Sequence, residues 1–184
     1  MSKMKYSLYI LGFIMAVNAQ DLKTVRDEKN DTYMLVGIGR RSDITAGEYA
    51  EWYTNEYDGY QGDEGIISAS KDFLDQIKIE TFLGTWCDDS QKEVPRLYKI
   101  LDQMQFPAEE MDLIMVDRDK KSGQGLEDGK NIHHVPTIII YKNGDEVGRI
   151  VESPIESLEE DIFNILIGAP LEHNYLDWEE EGKD

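Results

Sequence analysis

The chain has 184 residues, enough for one ordinary domain with a real core and a modest extension. Apolar residues make up 40% of it, a share that argues against a disordered chain. Its formal charge of -19 argues against nucleic acid and anionic membrane as partners, since both call for a basic face, and otherwise names no specific partner. The elements begin with Lys3 and Lys5 ahead of the apolar run "SLYILGFIMAV", which small residues close at Val17 and Ala19. This is the pattern of a cleavable secretory signal over residues 1–19, too short for a membrane span. It places the mature protein in the periplasm or outside the cell. Cleavage is expected after Ala19, and no cysteine lies near it to carry a lipid anchor.

"DTYMLVGIG" (31–39) reads as a strand, and "TAGEYAEWYTNEYDGY" (45–60) as a helix with Tyr49, Trp52, Tyr53 and Tyr57 on one face. That stripe is expected to face the core rather than a ligand. "QGDEG" (61–65) reads as a loop. "IKIETFLG" (77–84) turns continuously apolar, as an inner strand does. A helix follows from Asp88 to about Gln103, with Val94, Leu97, Ile100, Leu101 and Met104 on one face and a kink expected at Pro95. "MDLIMVD" (111–117) is a strand and the Gly-bearing 118–131 stretch a loop. "PTIIIYK" (136–142) and "EVGRIVE" (146–152) are strands joined across "NGD", a strong hairpin signal. "SPIESLEEDIFNILIG" (153–168) reads as a helix capped by Ser153, with Pro154 in its first position and Gly168 at its stop. The order predicts an α/β fold, a mixed four-stranded sheet with helices on both faces.

The chain has one cysteine, so it builds no internal disulfide. Cys87 is therefore inert, paired with another molecule, or a free reactive thiol. Its setting, "GTWCDDSQKEVP" (84–95), puts it where a strand ends and a helix begins. Unpaired N–H groups and the positive end of the dipole favour negative charge on a sulfur there, whereas Asp88 and Asp89 oppose it.

Trp86-Cys87 at the helix start, Val135-Pro136-Thr137 some way downstream and the closing hairpin "TIIIYKNGDEVGRI" together resemble the thioredoxin family over residues 70–168. "LGTWCDDSQKEVP", "EVGRIVESP" and "EYAEWYTNEYDGY" are more narrowly similar to exported bacterial members. The resemblance implies a thioredoxin-like fold and a cis Val135–Pro136 bond lying against Cys87. It also implies a catalytic Cys87 and a substrate groove formed by Trp86, Val135 and Pro136, with a client chain pairing to the Val135 backbone as an added strand. The sequence departs from the dithiol pattern at Ser90, which stands where the second cysteine would be and can offer the thiolate only a hydrogen bond. It departs again at Thr81, where many thioredoxins carry a buried acid; Glu80 is its neighbour.

The reading divides the chain into a signal (1–19), an extension packed on the main domain (20–69), a thioredoxin-like domain (70–168) and an acidic tail (169–184). His133 and His134 are expected to be surface residues at a loop end, and with one cysteine they make no zinc set. "DRDKKSG" (117–123) lacks the third ligand and closing Glu of a calcium loop. No metal or cofactor is expected. The expected function is mixed-disulfide exchange, isomerisation or de-thiolation of exported proteins through one nucleophilic cysteine, with an external thiol as reductant. The alternative is a non-catalytic peptide-binding module on the same fold. No nucleic acid partner is expected, and no integral membrane segment after signal cleavage.

Overall fold

The computed structural model describes residues 22–171, 173 and 175. The signal reading over 1–19 and most of the tail lie outside them. The described elements are β1 (Lys23–Asp27), β2 (Thr32–Gly39), α1 (Arg41–Ile44), α2 (Ala50–Gly59), α3 (Glu64–Ser70), β3 (Ile77–Leu83), α4 (Asp88–Met104), β4 (Met111–Met115), β5 (Thr137–Lys142), β6 (Asp145–Val151) and α5 (Leu158–Leu166). This is an α/β fold with a mixed sheet flanked by helices. The sheet has six strands in the order β1-β2-β4-β3-β5-β6, not four, because the N-terminal strands join it. β3 and β4 are parallel, as a crossover through α4 requires, and every other pair is antiparallel. β2 divides its length between two partners. Thr32 to Val36 pair with β1, and Gly37 to Gly39 pair with β4. Gly37 marks the change with φ 119, a conformation that favours glycine.

The central packing is aliphatic. Ile79, Leu97, Ile100, Ile138, Ile140, Leu158 and Ile162 gather where β3, β5, α4 and α5 meet, all at most 2% exposed. Each fully buried side chain of this kind contributes about 1.5–3 kcal/mol. The second cluster joins the N-terminal region to α4 and is aromatic: Tyr53 is buried, and Tyr49, Trp52, Tyr57 and Tyr98 pack around Leu35, Ile44, Leu83 and Val94. The aromatic stripe of 45–60 is thus a packing seam.

Three boundaries differ from the sequence expectation. The 45–60 stretch is a short 3-10 turn (Gly47–Tyr49) leading into α2. The 61–65 loop ends early, because the Asp63 carboxylate accepts from the Gly65 and Ile66 N–H groups and starts α3 at Glu64. The last helix begins at Leu158, and its cap is Ser157, not Ser153. The fully buried Asp161 carboxylate accepts from the Ile155 and Glu156 N–H groups at 2.7 and 3.3 Å, which pins 153–157 outside the helix. α4 continues as helix through Pro95.

Candidate thiol site

Cys87 is the N-cap residue of α4 and is half-buried. The loop that delivers it is built by close contacts. The Cys87 N–H donates to the Gly84 carbonyl at 3.0 Å, and Trp86 folds back over Gly84 so tightly that a Cβ there would lie 2.5 Å from the indole. Trp86 Nε1 donates to the Val116 carbonyl at 2.9 Å. The buried Thr85 hydroxyl accepts from the Leu35 N–H at 3.2 Å, which ties β2 to the loop.

Across from the loop, the Val135–Pro136 peptide bond is cis. The Cys87 Sγ donates to the Val135 carbonyl at 3.1 Å. The side chains of Trp86, Cys87, Val116, Ile132 and Val135 share one apolar cluster. Three of the four residues read from sequence as groove or nucleophile therefore meet directly in this cluster, with Pro136 adjoining Val135. The Val135 amide N–H finds no hydrogen-bond partner among the described residues.

Ser90 is arranged differently from the expectation that it would serve the sulfur. It is fully buried, and its hydroxyl accepts from the Gly84 N–H at 3.2 Å. It fastens the start of α4 to the end of β3 and makes no hydrogen bond to Cys87. Thr81 is fully buried, its hydroxyl has no partner among the described residues, and no acid stands in its place. Glu80 points to the other side of the strand, where Lys130 and Tyr141 bind it.

Two features escaped the sequence reading. The first is Arg118, three residues beyond β4. Its guanidinium lies 4.7 Å from the Trp86 ring centroid and is gripped by Asp27 of β1, through Nε and Nη2 at 2.7 Å each. The Arg118 bond holds the Asp27 carboxyl below its ordinary range. Ligand sites of α/β sheets gather beyond the C-terminal ends of parallel strands, and that rule, applied to 111–117, would have singled out this position. The second is Tyr175, whose ring stacks on His134 with centroids 3.9 Å apart and whose hydroxyl donates to Glu152. The 117–123 turn uses its acid internally: Asp117 Oδ1 accepts from the Asp119 and Lys121 N–H groups at 2.9 Å each.

A cavity of about 390 Å³ opens between Gly39, Arg41, Leu101, Phe106 and Met111. It sits at the C-terminal end of α4, which puts it roughly 25 Å of helix away from Cys87. None of Trp86, Cys87, Val135 and Pro136 lines this cavity.

A cysteine capping a helix after the first crossover strand, opposite a cis-proline loop on the neighbouring strand, defines a thioredoxin-fold thiol site. The thioredoxin family model matches residues 68–164, and the chain belongs to the thioredoxin family. Thioredoxin-1 of Schizosaccharomyces pombe is 28% identical over 88 residues, covering 48% of this chain and 80% of that protein. A solved protein of unknown function from Pseudomonas aeruginosa overlaps 67% of this chain and 97% of its own at 15% identity and a TM-score of 0.37. An overlap that loose bears on neither fold nor function.

Proposed function

We propose that the protein is an exported thiol–disulfide exchange protein that works through one sulfur. Membership of the thioredoxin family points to thiol–disulfide chemistry; the single-sulfur mechanism and the exported location are the finer reading. The observation that carries it is Cys87 itself, half-exposed at a helix N-terminus beside the cis-proline loop, with a buried serine one turn along. The Cys87 thiolate attacks one sulfur of a client disulfide, a new S–S bond forms, and the other sulfur leaves as thiolate. With no second thiol on α4, an external thiol then attacks the mixed disulfide and releases Cys87. Trp86 and the cis-proline loop adjoin the reacting sulfur, and the Val135 N–H, without a partner among the described residues, offers a client strand its first backbone hydrogen bond. The charged-then-apolar run at the N-terminus supports export.

Insulin reduction by wild type, Ser90→Cys and Cys87→Ser tests this reading. Wild type is expected to be a poor reductant that accumulates mixed disulfides a small thiol can release. Ser90→Cys is expected to gain turnover, because a sulfur there can resolve the intermediate. Activity that survives in Cys87→Ser contradicts the reading. An inert Cys87 in wild type and in Ser90→Cys would instead favour a binding module.

A further inference from the structure

We propose that Arg118 is a specificity-determining residue of the thiol site, recruiting a carboxylate carried by the disulfide partner beside its reacting sulfur. The inference rests on the reading of Cys87 as a nucleophile and adds the chemistry of what it attacks.

The placement follows from the sheet. β3 and β4 run parallel with Leu83 opposite Met115, so the chain leaving each strand emerges at the same edge. The β3 exit carries Trp86 and Cys87, and the β4 exit carries Val116 and Arg118. The indole joins the two exits, donating to the Val116 carbonyl on one side and lying under the Arg118 guanidinium on the other.

The way Arg118 is held separates it from an ordinary structural ion pair. Asp27 is 1% exposed, and its carboxylate is fully engaged by Arg118 and the Lys29 N–H. The Arg118 side chain keeps 26% of its surface in solvent. The buried partner takes Nε and Nη2, and among the described residues Nη1, with its two N–H donors, has no acceptor. A clamped, planar, always-charged fork with a free edge is suited to a carboxylate. The acidic groups described near the thiol loop repel an anion: Asp88 and Asp89 at the start of α4, and Glu152, bound by Tyr175, which stacks on His134. An anionic group is thus favoured on the Arg118 side and disfavoured beside Asp88 and Asp89, which would orient the disulfide as well as attract it.

Such a carboxylate can belong to a small disulfide or to an acidic residue next to a client's cysteine. The chemistry is the same in both: Cys87 gives its proton to solvent, its sulfur bonds to one probe sulfur, the probe's S–S bond breaks, and the electron pair leaves with the departing thiolate. The test compares full-length wild type, Arg118→Met, Arg118→Lys and the double variant Asp27→Asn with Arg118→Met, which also removes the buried counter-charge. Exchange rates are measured with 5,5'-dithiobis(2-nitrobenzoic acid), which carries carboxylates, and with neutral 4,4'-dithiodipyridine. A second arm uses disulfide-linked peptide dimers with Glu or Gln beside the cysteine.

The expected result is a fall of about three- to ten-fold in the ratio of anionic to neutral rates in both charge-removing variants. Arg118→Lys is expected to keep at least half of the wild-type ratio. A matching fall in the Glu-to-Gln ratio assigns the carboxylate to a client protein, and a fall with the small probe alone assigns it to a small disulfide. A neutral-probe rate that persists while the ratio stays put overturns the role of Arg118 and leaves the nucleophile reading standing. Failure of wild-type Cys87 to react with either probe overturns both.

Discussion

The two clusters that flank α4 solve the same burial problem with different materials. On the side of β5 and α5 the helix meets Ile and Leu, which carry no polar atoms and need only close packing. On the side of α2 it meets Tyr and Trp, whose polar ends must find partners or reach water. Arg41 serves that second seam: its guanidinium lies 4.8–5.7 Å from the ring centroids of Tyr53, Tyr57 and Tyr98 and bonds Asp102. Tyr57 donates to the same carboxylate. The comparison teaches that the N-terminal region is built into the fold, sharing the sheet through β2 and a buried cluster with β3, β4 and α4. It also reaches the thiol site twice, through Leu35 to Thr85 and through Asp27 to Arg118.

Removing the seam whole gives the largest effect. A chain lacking residues 22–60 leaves Leu83, Val94 and Met115 uncovered and Arg118 without its anchor, so it is expected to lose cooperative melting. A stable 70–170 fragment released by limited proteolysis, melting as the full chain does, would show the two clusters to be independent. Within the aliphatic cluster, Leu97→Ala is expected to cost about 2–5 kcal/mol in denaturant unfolding.

Glu159 sits between the regions, and its variant should fall in the middle. It is 5% exposed and accepts from the Tyr60 hydroxyl and, at 2.8 Å, from the Asp63 N–H. Burial pushes its carboxyl up, but these bonds outweigh burial and hold it below its ordinary 4.5. A carboxyl lowered by folding stabilises above its unfolded value, and that contribution is lost as pH falls through the folded one. Glu159→Gln is therefore expected to cost about 1–2 kcal/mol at neutral pH. It should also flatten the loss of stability below about pH 4.5 in a titration of unfolding free energy. Equal acid sensitivity in the two proteins would remove Glu159 as a link. Smallest is Tyr53→Phe, because that hydroxyl is buried without a hydrogen bond of ordinary geometry. Its removal is expected to shift stability by about 0.5 kcal/mol or less. A loss of 2 kcal/mol or more would mean that the seam depends on a bond made by that hydroxyl.

Legibility followed the same division. β3, α4, β4 and the β5–β6 hairpin announced themselves through apolar periodicity and "NGD", because each buries a regular face. β1 did not: "KTVRD" is short and mostly exposed, and it is a strand through its pairing with β2. The six-strand sheet turns on Gly37, where one strand changes partner, and nothing local marks such a change. The start of the last helix went to Ser153-Pro154 on capping chemistry, while a buried acid four residues inside the true helix decided for Ser157. At the site, the strand-to-helix junction gave Cys87, and the resemblance to the thioredoxin family gave Trp86, Val135 and Pro136. The direction of the Ser90 hydroxyl and the Asp27–Arg118 pair, separated by 91 positions, belong to tertiary geometry.

The central claim is that Cys87 is a reactive nucleophile in the folded protein, and its alkylation by iodoacetamide at neutral pH tests that directly. The rate is measured on native wild type and on the same chain in denaturant, with peptide mass mapping to place the adduct. Native Cys87 is predicted to react without denaturant, because the residue is only partly buried at the start of α4. A thiol that is labelled only after unfolding would contradict the account.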